Sequence, residues 1–149
     1  MFGIFKNLVV LPHFFYGEIM ILENVIVLIA RILISLLFLW AGFRKVLNWN
    51  STEDSMKNKK TKGIAFLLPI AVGFQILGGL SVLLGFYARI GAILLILFII
   101  PATIQMHDFW NLHGKERITE KAHFFKDMAI IGGLLLLFLI GPGNYSLTN

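Results

Sequence analysis

Two groups of polar residues interrupt an otherwise apolar chain, and each has the makings of a chemical site. The first is Arg31, Ser35 and Gln75. A guanidinium beside a hydroxyl and an amide can hold an oxyanion or a carbonyl oxygen through charge-assisted hydrogen bonds. The second is Lys45, His107 and Asp127. An ammonium, an imidazole and a carboxylate at one place can pass protons or grip a polarised carbonyl. Arg31, Ser35, Phe38, Gly42 and Lys45 recur at spacings of four and three, which puts all five on one helical face. Ala71, Gln75, Gly78, Val82 and Gly85 repeat the pattern, so two helices carry matching stripes of small and polar residues.

The elements that carry these stripes are long apolar blocks at 25–43, 63–86, 90–106 and 124–141. A helix rises about 1.5 Å per residue, so about 20 apolar residues cross a hydrocarbon core about 30 Å thick. The expected fold is an all-α membrane protein, a four-transmembrane-helix bundle with an N-terminal extension. Residues 1–22 form that extension, expected to be interfacial or poorly ordered, and 23–149 form the bundle. The apolar run 8–11 is too short for the core of a signal peptide. Of the 149 residues 58% are hydrophobic and 14% charged, which leaves no room for a separate soluble catalytic domain. No cysteine occurs, so disulfides, thiol catalysis and cysteine-bound metals within this chain are excluded. His107, Asp108, His113 and His123 match no compact metal spacing, and no metal is expected.

The net charge of +5 sits beside the spans, which points to membrane topology rather than nucleic acid. Basic residues crowd 44–62 and 107–126, both expected as polar loops in the cytoplasm, with both termini outside. Trp40, Trp49 and Trp110 are expected at that same interface. If Lys45 and Gly63 mark the boundary, Arg31 lies roughly 21 Å deep and Gln75 roughly 18 Å deep by helix rise. Equal depth predicts a hydrogen bond from Arg31 to the Gln75 carbonyl. Two readings fit that pair, a ligand site and a polar tie between helices. Lys45, His107 and Asp127 are expected at one cytoplasmic mouth, either as a relay or as interfacial caps and ion pairs. Asp127 is placed near the start of the last span, where it would favour the helix dipole. Gly78-Gly79 and Gly132-Gly133 are expected as close helix contacts.

Three segments together resemble the DoxX family. RILISLLFLWAGFRKVLN is similar to its first span. GFQILGGLSVLLGFYARIGAILLILFIIPATIQMHDFW is similar to its second and third, and FFKDMAIIGGLLLLFLIGPGNYSL to its fourth. The resemblance runs from about residue 30 to 147, and Arg31, Gly42, Lys45, Gly85, Arg89, His107 and Asp127 fit its pattern. It implies a bacterial inner-membrane protein tied to quinone-linked redox or oxidative-stress processes, as in the DoxD-like subunit of thiosulfate:quinone oxidoreductase. Where that family often has Glu, this chain has Gln75, which cannot exchange a proton.

The expected function is therefore a membrane subunit or accessory of such a process. Arg31, Gln75 and Ser35 would bind a quinone or small oxyanion, and Lys45, His107 and Asp127 would form the polar mouth. No electron carrier is encoded, so redox chemistry would need a bound quinone or a redox partner subunit. A small-solute or lipid-handling protein without redox chemistry, or a structural membrane partner, would use the same residues differently.

Overall fold

The computed structural model describes residues 13–148, and what was expected of residues 1–12 lies outside them. Five helices follow in order: α1 (His13–Leu47), α2 (Trp49–Asn58), α3 (Ile64–Leu84), α4 (Ala88–Met106) and α5 (Gly114–Ile140). All but α2 are long and apolar enough to cross a membrane. The protein is thus an all-α, four-span membrane bundle. Consecutive spans pack against each other, α1 on α3, α3 on α4 and α4 on α5, while α1 meets α5 more sparsely.

The stripes read from the sequence are the packing faces. Arg31, Ser35, Phe38 and Gly42 are buried on α1, and Gln75, Gly78 and Val82 on α3, with Gly85 buried just past its end. Phe38, Val82, Leu95, Ile99, Leu134 and Leu137 form the apolar core. Large residues such as Leu33, Leu77, Leu97 and Leu139 point outward, as a surface bathed in lipid requires. Helices α3 and α4 approach each other closely. A Cβ on Gly91 would stand 2.9 Å from the Gly78 carbonyl oxygen, so the two backbones nearly touch. Gly79 receives Leu39, and Gly42 receives Ile76. Gly132 has open space around it, contrary to the expected close contact, and Gly133 meets only Ile34 of α1.

Three boundaries differ from the sequence reading. Residues 13–22, expected in the extension, continue α1 without a break. The stretch expected as a polar loop after the first span contains α2. Its polar side chains are good local partners: Lys57 lies 2.8 Å from Glu53, and Ser55 Oγ donates to the Ser51 carbonyl. The hydrogen bonds to Glu53 and Asp54 raise the Lys57 pKa. The last helix starts at Gly114, ten residues before the apolar block. Lys, Glu, Arg and Ala there are strong helix formers, so the helix forms before its sequence turns apolar. At 27 residues α5 is roughly 40 Å long, more than the hydrocarbon core, so its first turns extend beyond that core.

Candidate functional site

Arg31 and Gln75 do not meet. Arg31 Nε donates to the Val82 carbonyl and Nη2 to the Leu83 carbonyl, both at 2.9 Å. Nη1 donates to the carbonyls of Pro142 at 2.8 Å and Tyr145 at 2.6 Å. The residue is 1% exposed. These acceptors are the last carbonyls of α3 and the tail that follows α5. Arg31 therefore caps a helix C-terminus, where a cation is favoured, and ties the tail across it. The tail adds its own bonds, Leu147 N–H to the Leu84 carbonyl and Thr148 Oγ to the Gly85 carbonyl. Gly85, at φ 70°, has no room for a side chain, since a Cβ there would strike Arg31 Nη2 and Ser146. Ser35 is fully buried, and its hydroxyl has no hydrogen-bond partner.

The Arg31–Gln75 expectation fails because its depth ruler was set at the wrong place. Leu39 packs on Gly79 and Gly42 on Ile76, so α1 and α3 run antiparallel in a register that carries Arg31 to the far end of α3. Lys45 is not at the boundary. Its ammonium donates to Gln75 Oε1 at 2.7 Å, and Gln75 stands near the middle of α3. The same register sets Trp40 level with the Gly78-Gly79 region, not at the interface expected for it.

Gln75 thus belongs with the second group. Lys45 Nζ also lies 4.6 Å from the centre of the Phe98 ring, a cation–π contact. Asp127 is the carboxylate whose charge acts on Lys45. It accepts a hydrogen bond from Thr103 Oγ at 2.9 Å and lies 3.6 Å from His107 Nε2. His107 Nδ1 lies 2.6 Å from Glu120 Oε2, and the His107 ring stacks on His123 at 5.2 Å. Lys126 Nζ is 3.5 Å from Asp127 Oδ1. All four spans contribute: Lys45 from α1, Gln75 from α3, Phe98 and Thr103 from α4, Asp127 and Glu120 from α5. His107 follows α4 directly, with its N–H on the Thr103 carbonyl. Asp127 lies well inside α5, so the dipole expectation is replaced by the Thr103 hydrogen bond. Among the described residues no group of three His, Cys, Asp or Glu side chains could hold a metal ion.

A cavity of about 550 Å³ opens beside Lys45. Its walls are apolar: Leu68, Ala71 and Phe74 of α3, with Phe98, Pro101 and Ala102 of α4. Thr52 and Met56 of α2 close one side. Lys45 is the one charged residue in its lining. Such a space suits a lipophilic molecule with a polar head near the ammonium.

The structure places His107 beside Asp127 and Lys45 on Gln75, and the sequence reading missed Glu120, Thr103 and Phe98. A signal was present for Glu120. Glu120 and Asp127 are seven residues apart, two turns of one helix, and so share a face once residues 114–123 are read as helix. Thr103 had a similar one, four residues before His107, which directly follows the same helix.

The chain is similar to known membrane proteins. The family described as DoxX matches residues 26–108. The inner membrane protein YqjF of Escherichia coli is 36% identical over 126 residues, covering 85% of this chain and 92% of that protein. The inner membrane protein YphA of the same organism is 31% identical, covering 83% and 88%. A more distant likeness, 28% identical over 59% of this chain and 30% of the relative, is to the Surfeit locus protein 4 homolog of Schizosaccharomyces pombe. No solved structure matches the chain. With the family pattern spanning more than half of its length and two near-full-length relatives, the chain belongs to the DoxX family of multi-pass membrane proteins.

Proposed function

We propose that this protein binds a quinone in the cavity beside Lys45, as the membrane-embedded binding subunit of a redox process whose electron carrier belongs to a partner protein. The observation that carries the reading is the Lys45 ammonium, held by a neutral amide at the wall of a 550 Å³ apolar cavity. The residues fit such a group. The ammonium has three donors, and one of them is on Gln75, so a ligand carbonyl can take another. Phe74 and Phe98 supply ring faces, and the leucine-lined walls suit an isoprenoid tail. Asp127 already supplies a counter-charge, so a neutral carbonyl suits this site better than an oxyanion. At Arg31 four donors are taken by backbone oxygens and the side chain is buried, which argues against a ligand there. A bound quinone would supply the electron-accepting chemistry. The chain's own residues bind it, orient one carbonyl and keep water away.

The test is mass spectrometry of small molecules retained after gentle extraction. Wild-type protein should carry quinone, and Lys45→Met should lose it. Binding of added decylubiquinone should weaken on the order of tenfold in that variant, the value of one charge-assisted hydrogen bond. Wild-type protein that retains a fatty acid and no quinone would favour a lipid-handling role. Equal quinone in both proteins would remove Lys45 from the site.

A further inference from the structure

Helices α3 and α4 touch in one half and part in the other. Their backbones meet at Gly78 and Gly91. Beyond that contact, toward the basic end, the cavity beside Lys45 opens between them, with Leu68 and Ala71 on one wall and Phe98 and Ala102 on the other. Each helix carries a proline in this half, Pro69 and Pro101. A proline removes a ladder hydrogen bond and favours a bend. The cavity's two approaches differ. On one side Thr52 and Met56 of the polar helix α2 stand in its wall. Lys59, which caps the end of α2, lies 2.9 Å from Asp108, just past the end of α4, and so ties α2 down. On the other side the wall ends in two apolar lips, Leu67 and Ile70 of α3 and Leu97 and Ile104 of α4. These four are between 48% and 62% exposed, like the outward-facing residues that meet lipid.

We propose that the cleft between these lips is a lateral entrance, through which a quinone reaches Lys45 from within the bilayer while its isoprenoid tail stays between α3 and α4; the proposal rests on the quinone-site reading. A tailed quinone is dissolved in hydrocarbon, and large apolar lips are wetted by hydrocarbon and not by water. A cavity of 550 Å³ is of the size that encloses a drug-sized molecule. It takes the ring and the first part of the tail, and the rest of a long tail leaves between the lips. The entrance therefore selects by tail. A long apolar chain gains contact with Leu67, Ile70, Leu97 and Ile104, which a water-soluble quinone without a tail forgoes. The two lips lie level. Counted from the Gly78–Gly91 contact, Leu67 is eleven residues back along α3 and Ile104 thirteen onward along α4, a mismatch of about 3 Å by helix rise.

Two reversible locks distinguish the approaches, because the chain has no cysteine of its own. The full chain in nanodiscs is loaded with deuterated decylubiquinone and chased with the unlabelled compound, and mass spectrometry follows the label kept by the protein. The first lock joins Leu67→Cys to Ile104→Cys across the lips with a thiol-cleavable bis-methanethiosulfonate. It should slow exchange by about tenfold or more, as closing a gate does, and thiol reductant should restore the wild-type rate. The second lock joins Lys59→Cys to Asp108→Cys in the same way and pins α2 in place. It should change exchange less than about twofold, since α2 is not the gate. Slowing by the second lock, alone or beside the first, would overturn the lateral entrance, as would unchanged exchange under the first. Wild-type protein that holds no decylubiquinone would overturn the quinone site and the entrance with it, a failure distinct from bound quinone that exchanges past closed lips.

Discussion

Arg31 shows how one side chain can be placed correctly on a helix face and wrongly in its chemistry. Its spacing with Ser35, Phe38 and Gly42 put it inside the bundle, and it is inside. Its partners are backbone oxygens from α3 and from the tail, which no side-chain pattern announces. Removing it leaves buried carbonyls without donors. Arg31→Met should therefore lower stability by on the order of 3 kcal/mol in thermal unfolding of the detergent-solubilised protein. Limited proteolysis should cut the tail at 142–148 faster. Arg31→Lys should recover only part of the loss, because an ammonium lacks the planar fork that spans four acceptors. Quinone retention should be unchanged in any Arg31 variant that folds, whereas Lys45→Met should lose it in a folded protein.

At the level of elements, the sequence marked which segments cross the membrane and which faces they bury, but not where the helices begin. Apolar content sets the span, whereas helix propensity sets the helix. Over residues 114–123 and 49–58 polar residues form helix outside the apolar blocks. That is why Asp127 and Glu120 were not seen as sharing a face. Close helix approach was legible at Gly78-Gly79 and misread at Gly132, since paired glycines look alike in sequence whether or not another helix lies over them. The contrast is measurable. Gly91→Ala should destabilise by about 1–3 kcal/mol, because its methyl would meet the Gly78 carbonyl and Ser81. Gly132→Ala, with nothing near its Cβ, should be neutral or stabilising by about 0.5–1 kcal/mol through helix propensity.

For the whole molecule, the bundle has two unlike ends. One carries α2, the start of α5 and most of the basic residues; the other carries the α3–α4 turn and the tail strapped to it by Arg31. The charge asymmetry leads us to expect the basic end in the cytoplasm. The chain has no cysteine, so single-cysteine labelling can test this on an otherwise unreactive protein. Ser55→Cys should react with a membrane-impermeant maleimide only after cells are opened, and Asn144→Cys should react on intact spheroplasts. The reverse pattern would turn the bundle over without changing the site.

Hydrophobic run length and the four-three spacing of polar residues determined, from sequence alone, that the chain spans a membrane four times and which residues face inward. Those signals are local: each is set by one helix and its solvent. The tertiary structure decided which inward residues touch. Sliding one helix along another by a single turn changes every cross-helix partner while leaving each helix's pattern intact. The register that seats Gly42 on Ile76 and the two glycine backbones of α3 and α4 together therefore gave Gln75 to Lys45 and Arg31 to the tail.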